Sequence, residues 1–258
     1  MTDTTERSES PYSGLAAVYD RWMAADRVPY QAWAAYIIDR LKEADRPVRS
    51  VLDLCCGTGM TLAMLQKHGY EVTGVDASAE MLAHARRRAA SGTRFHQASL
   101  PSPLLTEIGP FDAATCCYDG INYFVSPGQM ASVLAQVYEA LRPGGVFVFD
   151  LSTRLTFQEM TALGRTGEDF GDFAYLWDTR PVEGAPCFDY LVTVFTKGED
   201  GRYSRTDEIH HQRWFSREEL EEAVTAAGLR TVCVSEDYGT KEPTADTRRE
   251  TWTVRRPL

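Results

Sequence analysis

The sequence predicts an α/β fold, a largely parallel sheet with helices on both faces and an antiparallel β insertion after the fifth strand. Three observations carry this. Short apolar runs alternate five times with segments of helical periodicity between Ser50 and Asp150, the pattern of strand–helix–strand units. The first run ends in a Gly-x-Gly turn that opens a helix, as nucleotide-binding loops of doubly wound sheets do. After Asp150 the rhythm breaks, and alternating positions such as Phe188, Tyr190, Val192 and Val194 mark antiparallel strands.

Taken in order, residues 1–10 are polar and read as a disordered start. A helical pattern with aromatics begins at Tyr12, and a second helix over Tyr30, Trp33, Ala34, Ile37 and Leu41 follows Pro29. Core packing is the plain reading of these aromatics, although Tyr19 and Trp33 carry polar atoms usable in a site. Val51, Leu52 and Leu54 form a strand buried on both faces, and Gly57 and Gly59 let the turn approach a ligand closely. Glu71–Asp76 is a second strand ending in an acid; Ser78 caps a helix that turns Met81, Leu82 and Ala85 inward. Further strands fall at Thr93–Gln97, Phe111–Cys117 and Val146–Asp150. The helix through Met130 and Leu141 is stopped by Pro143-Gly144-Gly145. A turn at Gly198–Gly201 joins two extended runs, Ser216–Glu219 is a capping box for a last helix, and strands at Thr231–Ser235 and Thr251–Arg255 close the chain.

Composition narrows the function. With 258 residues and 43% hydrophobic content, the chain supports one domain with an elaboration. A net charge of −10 and the lack of an extended basic face disfavour a polynucleotide partner. Six cysteines form no CxxC pair; the vicinal pairs Cys55-Cys56 and Cys116-Cys117 read as small hydrophobes in buried strands. No secretory signal or long apolar span is visible, so a cytoplasmic protein off the membrane, monomer or homodimer, is expected.

The glycine loop lacks the third glycine of the dinucleotide fingerprint, Leu62 standing there, and it lacks the P-loop lysine. It therefore suits an adenosyl ligand without phosphates rather than NAD. Asp76 stands where an acid meets ribose hydroxyls, a role it shares at this point with simple helix capping. Tyr118, Asp119 and Asn122 follow the fourth strand at the end where ligands bind. Strand alternation sets Glu208, His210, Gln212 and Trp214 on one face and Ile209, His211, Arg213 and Phe215 on the other, so one histidine at most faces a pocket. No acid–histidine cluster has metal-ligand spacing.

Several stretches resemble the class I S-adenosylmethionine-dependent methyltransferases. Val51–Gly59 resembles their first motif, Val72–Asp76 their second strand, and Leu141-Arg-Pro-Gly-Gly145 the turn before their fifth. Tyr19–Met23, Pro29–Trp33 and Asp207–Arg213 are similar to a bacterial subgroup of small-molecule enzymes that includes the YqeM-like proteins and amino-sugar N-methyltransferases.

The resemblance implies a Rossmann-like sheet of seven strands whose last two form an antiparallel hairpin. Residues 1–49 would be a helical cap, 50–155 with 216–258 the core, and 156–215 the β insertion over the substrate pocket. It implies S-adenosyl-L-methionine as cofactor. Asp53 would lie near its ammonium, with Cys55, Gly57, Thr58, Gly59 and Cys117 around the methionine part and Tyr19 and Trp33 closing over it. Asp76 would bind the ribose, Ala77 and Met81 would pack on adenine, and Ser99 and Leu100 stand where many relatives have an adenine-binding Asp. The substrate would be a small molecule touching Tyr12, Asp119, Asn122, Trp177 and Arg213. N-methylation of an amine leads, with Tyr118 and His210 as catalytic candidates. O-methylation with His210 as general base, or a non-catalytic cofactor sensor, are the alternatives.

Overall fold

The computed structural model describes residues 11–258; the polar start expected over residues 1–10 lies outside them. A 3-10 turn at Leu15–Ala17 leads into α1 (Tyr19–Ala25) and α2 (Tyr30–Lys42). The alternating region follows as β1 (Ser50–Leu54), α3 (Met60–Lys67), β2 (Glu71–Asp76), α4 (Ala79–Arg88), β3 (Arg94–Gln97), α5 (Leu104–Ile108), β4 (Phe111–Cys116), α6 (Gln129–Ala140) and β5 (Leu141–Ser152). Then come α7 (Arg154–Leu163) and four strands, β6 (Thr166–Asp169), β7 (Phe173–Pro181), β8 (Cys187–Lys197) and β9 (Tyr203–Arg213). The chain closes with α8 (Arg217–Ala226), β10 (Arg230–Glu236) and β11 (Arg249–Arg255).

Seven strands pair in the order β10-β11-β5-β4-β1-β2-β3. β1 to β5 run parallel, while β11 lies antiparallel to both β5 and β10, the expected terminal hairpin. The order reverses beside β1, between β2 and β4. A parallel sheet opens a crevice for ligands where its strand order reverses, outside the carboxyl ends of the strands.

Alternation along β1 decides the two core faces. Leu52 and Leu54 join Phe147, Phe149 and Trp252 under α6 and α8, while Val51 joins Val148 under α2 and α3 with Ile37, Leu41, Leu62 and Leu65. These side chains are all buried. The second sheet, β6-β7-β8-β9, is antiparallel throughout. The inner row of β8 (Phe188, Tyr190, Val192, Val194) packs on Leu15, Val18, Trp22 and Met23 of the N-terminal segment. The sheet and the first helix thus roof the same end of the parallel sheet.

Three local expectations shift. Tyr12 is not helical but has φ +67, in a turn ahead of the 3-10 segment. The vicinal cysteines stand at strand ends: Cys55 is in the loop after β1 with φ +50, and Cys117 follows the last residue of β4. α5, α7, β6 and β7 are elements that periodicity did not reveal.

Candidate active site

The loop after β1 is shaped by backbone and carboxylate together. Gly59, at φ +73, starts α3, and a β-carbon there would come within 3.1 Å of Ala85 Cβ on α4. Asp76 Oδ2 accepts the Gly57 N–H at 2.8 Å, and its Oδ1 accepts the Ser78 N–H at 2.8 Å. Burial pushes the Asp76 carboxyl up from its ordinary value against these bonds. Asp76 therefore ties the glycine loop to α4 while facing the cavity between them.

That cavity measures 330 Å³ and lies outside the ends of β1, β2 and β4. Its polar floor is Asp53, 2% exposed. One carboxylate oxygen accepts from Thr115 Oγ1 at 2.7 Å; the other is buried and has no hydrogen-bond partner. Burial drives the Asp53 carboxyl up to about 7, with the Thr115 bond opposing. An unpartnered buried carboxylate oxygen calls for a cation or donor. Cys55, Gly57, Thr58 and Cys117 also line this end. Ala77, Met81, Ser99 and Leu100 form a mostly apolar slot beside Asp76. No Lys or Arg is among the described residues lining the cavity.

A second cavity of 290 Å³ lies under the β6–β9 sheet. Tyr12, Tyr19, Tyr118 and Tyr123 border both, so the two meet at a ring of phenols. The second cavity is walled by Trp22, Tyr175, Trp177 and Tyr190, with Trp22–Tyr175 centroids 4.5 Å and Trp177–Tyr190 centroids 4.8 Å apart. Its acids are Asp26 and Asp119, and its described lining holds no Lys or Arg. Asp119 receives Arg249 Nη2 at 3.0 Å and Gln212 Nε2 at 3.1 Å. Arg249 also pairs with Asp150. Burial raises Asp150 to about 6, the neighbouring Arg249 holding it down.

The sequence candidates separate into four groups. Asp53, Cys55, Gly57, Thr58, Asp76, Ala77, Met81, Ser99, Leu100 and Cys117 line the first cavity. Asp119, Trp177 and His210 line the second, and Tyr12, Tyr19 and Tyr118 border both. Trp33, Gly59, Asn122 and Arg213 line neither. Trp33 is buried against Tyr238, stacked at 5.0 Å, and packs beneath Tyr118; Tyr30, one helical turn earlier, reaches the cavity in its place. Asn122 is a backbone clip: it accepts the Ser152 N–H at 2.8 Å and donates to the carbonyls of Ser152 and Arg213 at 3.1 and 2.7 Å. Arg213 binds Glu219 of α8 and packs over Phe215.

His210 lines the second cavity with both ring nitrogens engaged. Nδ1 meets Tyr123 OH at 2.8 Å and Nε2 meets Glu208 Oε2 at 3.0 Å. Sequence reasoning missed Glu208, whose carboxylate also accepts the backbone N–H groups of Tyr12, Gly14 and Leu15 and so pins the N-terminal segment. The signal was a glutamate on the buried face of a strand. Missed too was a latch on the other side of α1, where Asp20 accepts from Thr58 Oγ1 at 2.7 Å and pairs with Arg88.

The chain matches a family model described as a methyltransferase domain over residues 51–145. It is 30% identical over 239 residues to YqeM of Bacillus subtilis, a methyltransferase by description, covering 92% of this chain and 94% of that one. It is also 30% identical to the dTDP-3-amino-3,4,6-trideoxy-alpha-D-glucopyranose N,N-dimethyltransferase of Streptomyces venezuelae, covering 83% and 90%. Among solved structures, an S-adenosylmethionine-dependent methyltransferase from Clostridium acetobutylicum superposes with a TM-score of 0.80 at 26% identity, covering 96% of this chain and all of that one.

The unpartnered oxygen of Asp53 fits an ammonium, Asp76 fits ribose hydroxyls, and the cation-free slot fits an adenine without phosphates, so the cavity suits S-adenosyl-L-methionine. With these relatives and this sheet order, the chain belongs to the class I S-adenosylmethionine-dependent methyltransferases, in the subgroup of YqeM-like proteins and amino-sugar N-methyltransferases.

Proposed function

We propose that the enzyme methylates a nitrogen atom of a small, phosphate-free metabolite held under the β6–β9 sheet. The observation that carries this is the wall of the second cavity: aromatic faces and the carboxylates of Asp26 and Asp119, with no Lys or Arg among its described residues. Aromatic faces and carboxylates attract an amine in its cationic form. A phosphate or carboxylate acceptor would need the cationic donors this wall lacks. The relatives acting on dTDP-linked amino sugars lend support to nitrogen as the acceptor atom, while the diphosphate of their substrates speaks against carrying the rest of the acceptor over.

S-adenosylmethionine held in the first cavity would supply an activated methyl group on its sulfonium for attack by the acceptor's lone pair. The protein's part is alignment and exclusion of water, which supply on the order of 7–11 kcal/mol when geometry is near-attack. Tyr19 and Tyr118 border both cavities and would hold the reacting ends together; Asp53, Asp76 and the Gly57–Gly59 loop would fix the donor. Asp119, braced by Arg249 and Gln212, would orient the amine.

A labelled-methyl transfer assay tests this with matched acceptors: amines, the same skeletons bearing hydroxyl or carboxyl in place of nitrogen, and phosphorylated amines. Label on nitrogen of the unphosphorylated amines is expected. Label on oxygen, or a preference for phosphorylated acceptors, would overturn the reading. Cofactor binding without transfer to any acceptor would favour a sensor.

A further inference from the structure

Four side chains outside the cofactor loop form one continuous hydrogen-bonded line. Tyr12 OH lies 2.7 Å from Tyr123 OH, Tyr123 OH 2.8 Å from His210 Nδ1, and His210 Nε2 3.0 Å from Glu208 Oε2. His210 and Glu208 are each 1% exposed, whereas Tyr12 and Tyr123 reach the junction of the two cavities. The line therefore starts where donor and acceptor meet and ends in the protein interior.

Its direction is set by Glu208. Burial pushes the Glu208 carboxyl up, but the hydrogen bonds from His210 and from the Leu15 and Gly14 N–H groups outweigh this and hold it below its ordinary value. An ionised carboxylate only accepts, so His210 must donate from Nε2. A neutral imidazole with its proton on Nε2 has a bare Nδ1, which accepts from Tyr123. Burial keeps the phenols of Tyr12 and Tyr123 protonated, raising both well above their ordinary values. With its own proton given to His210, Tyr123 oxygen accepts from Tyr12. Tyr12 oxygen is then left with a lone pair and no proton to offer.

We propose that Tyr12, Tyr123, His210 and Glu208 form a one-way proton relay that takes a proton from the incoming ammonium of the acceptor. The relay rests on the N-methylation reading above. The ammonium N–H proton passes to Tyr12 oxygen, the Tyr12 proton to Tyr123 oxygen, and the Tyr123 proton to His210 Nδ1. The amine keeps the electron pair of the N–H bond as its nucleophilic lone pair, and the imidazolium that results lies against Glu208. Tyr12 is the catalytic residue of the set; Tyr123, His210 and Glu208 act through it. The logic is that of a hydroxyl–histidine–carboxylate triad extended by one phenol. The charged and titratable groups around His210 are Glu208 on its own strand, Tyr190 across β8, Tyr123 and Asp119 after β4, and Tyr12 and Tyr19 of the N-terminal segment, with Arg249 behind Asp119.

Two measurements test the relay. Nitrogen-15 NMR of histidine-labelled enzyme saturated with S-adenosylhomocysteine needs no acceptor: His210 protonated on Nε2 and bare on Nδ1 is expected, with the Nδ1 signal moving in Tyr123→Phe. A proton on Nδ1 overturns the relay whether or not any amine is methylated, and the expected tautomer without transfer to any amine counts against the acceptor reading alone. The second uses the amine selected by the transfer assay, at saturating cofactor. Tyr123→Phe should lose ~100-fold in kcat/KM well below that amine's own pKa and return to within about threefold of wild type above it, where the acceptor arrives neutral. A loss of equal size at every pH would make Tyr123 merely structural and sink the proposal.

Discussion

Asp53 offers a prediction that can be worked through in numbers. Its carboxyl is raised from 3.8 to about 7 by burial, and one oxygen has no partner. Between these values the folded, ligand-free protein holds a proton that the unfolded chain has released. The stability this group contributes is therefore fully present below pH ~4 and lost as pH rises through about 7. An ammonium placed against the free oxygen favours the ionised form, so cofactor binding expels the proton. With the value near 7, the ionised share is about 3% at pH 5.5 and about one half at pH 7. Affinity should rise about sixteenfold across that window, ~1.6 kcal/mol. Asp76, also raised by burial, would add in the same direction. The assay is calorimetric titration with S-adenosylhomocysteine in buffers of different ionisation enthalpy. About half a proton should be released per site at pH 7 and nearly one at pH 5.5. Asp53→Asn should flatten the slope and weaken binding by roughly 10–150-fold, the value of a hydrogen bond to a charged group. A wild-type affinity that does not change between pH 5.5 and 7 would refute the placement of the ammonium on Asp53.

Other outcomes follow from the same geometry. Asp76→Ala removes the bonds to Gly57 and Ser78 with the ribose acceptor and should weaken S-adenosylhomocysteine binding by at least tenfold; unchanged affinity in the same titration would remove the ribose role. Asn122→Ala strands two buried backbone groups of Ser152 and a part-buried carbonyl of Arg213 and should cost about 2–5 kcal/mol in urea unfolding. Unchanged stability with a raised acceptor KM would return Asn122 to the substrate site. Arg249→Met leaves the fully buried Asp150 without its ion partner and should cost about 3–5 kcal/mol. Because Asp150 is already raised to about 6, protonation relieves that loss in acid, so the variant should be hurt more at pH 8 than at pH 5. Equal losses at both would show that Asp150 is not the group left exposed to the change.

The cofactor half of the site was legible because its chemistry is local. A glycine turn and an acid at the next strand end each lie within one short stretch, and the sheet places them together; Leu141–Gly145, which opens β5, lies at the opposite end of the sheet and lines neither cavity. The acceptor half was not, for reasons that differ by residue. Tyr30 and Trp33 share one helix face, three positions apart, so spacing could not decide which would reach the cavity. Tyr118 and Asp119 take φ values of +62 and +53 without being glycine, which redirects both side chains in a way no pattern announces. Asn122 had the right chemistry for a ligand contact, but its amide is consumed by backbone from β5 and β9. β6 escaped notice because its exposed positions dilute the alternation that marks a strand. Strand alternation did group Glu208 with His210, yet its partners lie at the far end of the sequence.

That distance has a consequence for how the protein is made. Glu208 gathers N–H groups from residues 193 to 196 positions earlier. At about 5–20 residues per second of synthesis, Tyr12, Leu15 and the Trp22 helix leave the ribosome roughly 10–40 s before their carboxylate anchor exists. During that interval their apolar side chains have no sheet to rest on, while the parallel strands that follow can already assemble. The contacts that hold the segment from Tyr12 to Ala25 against Glu208 can therefore form only after β9 has been made.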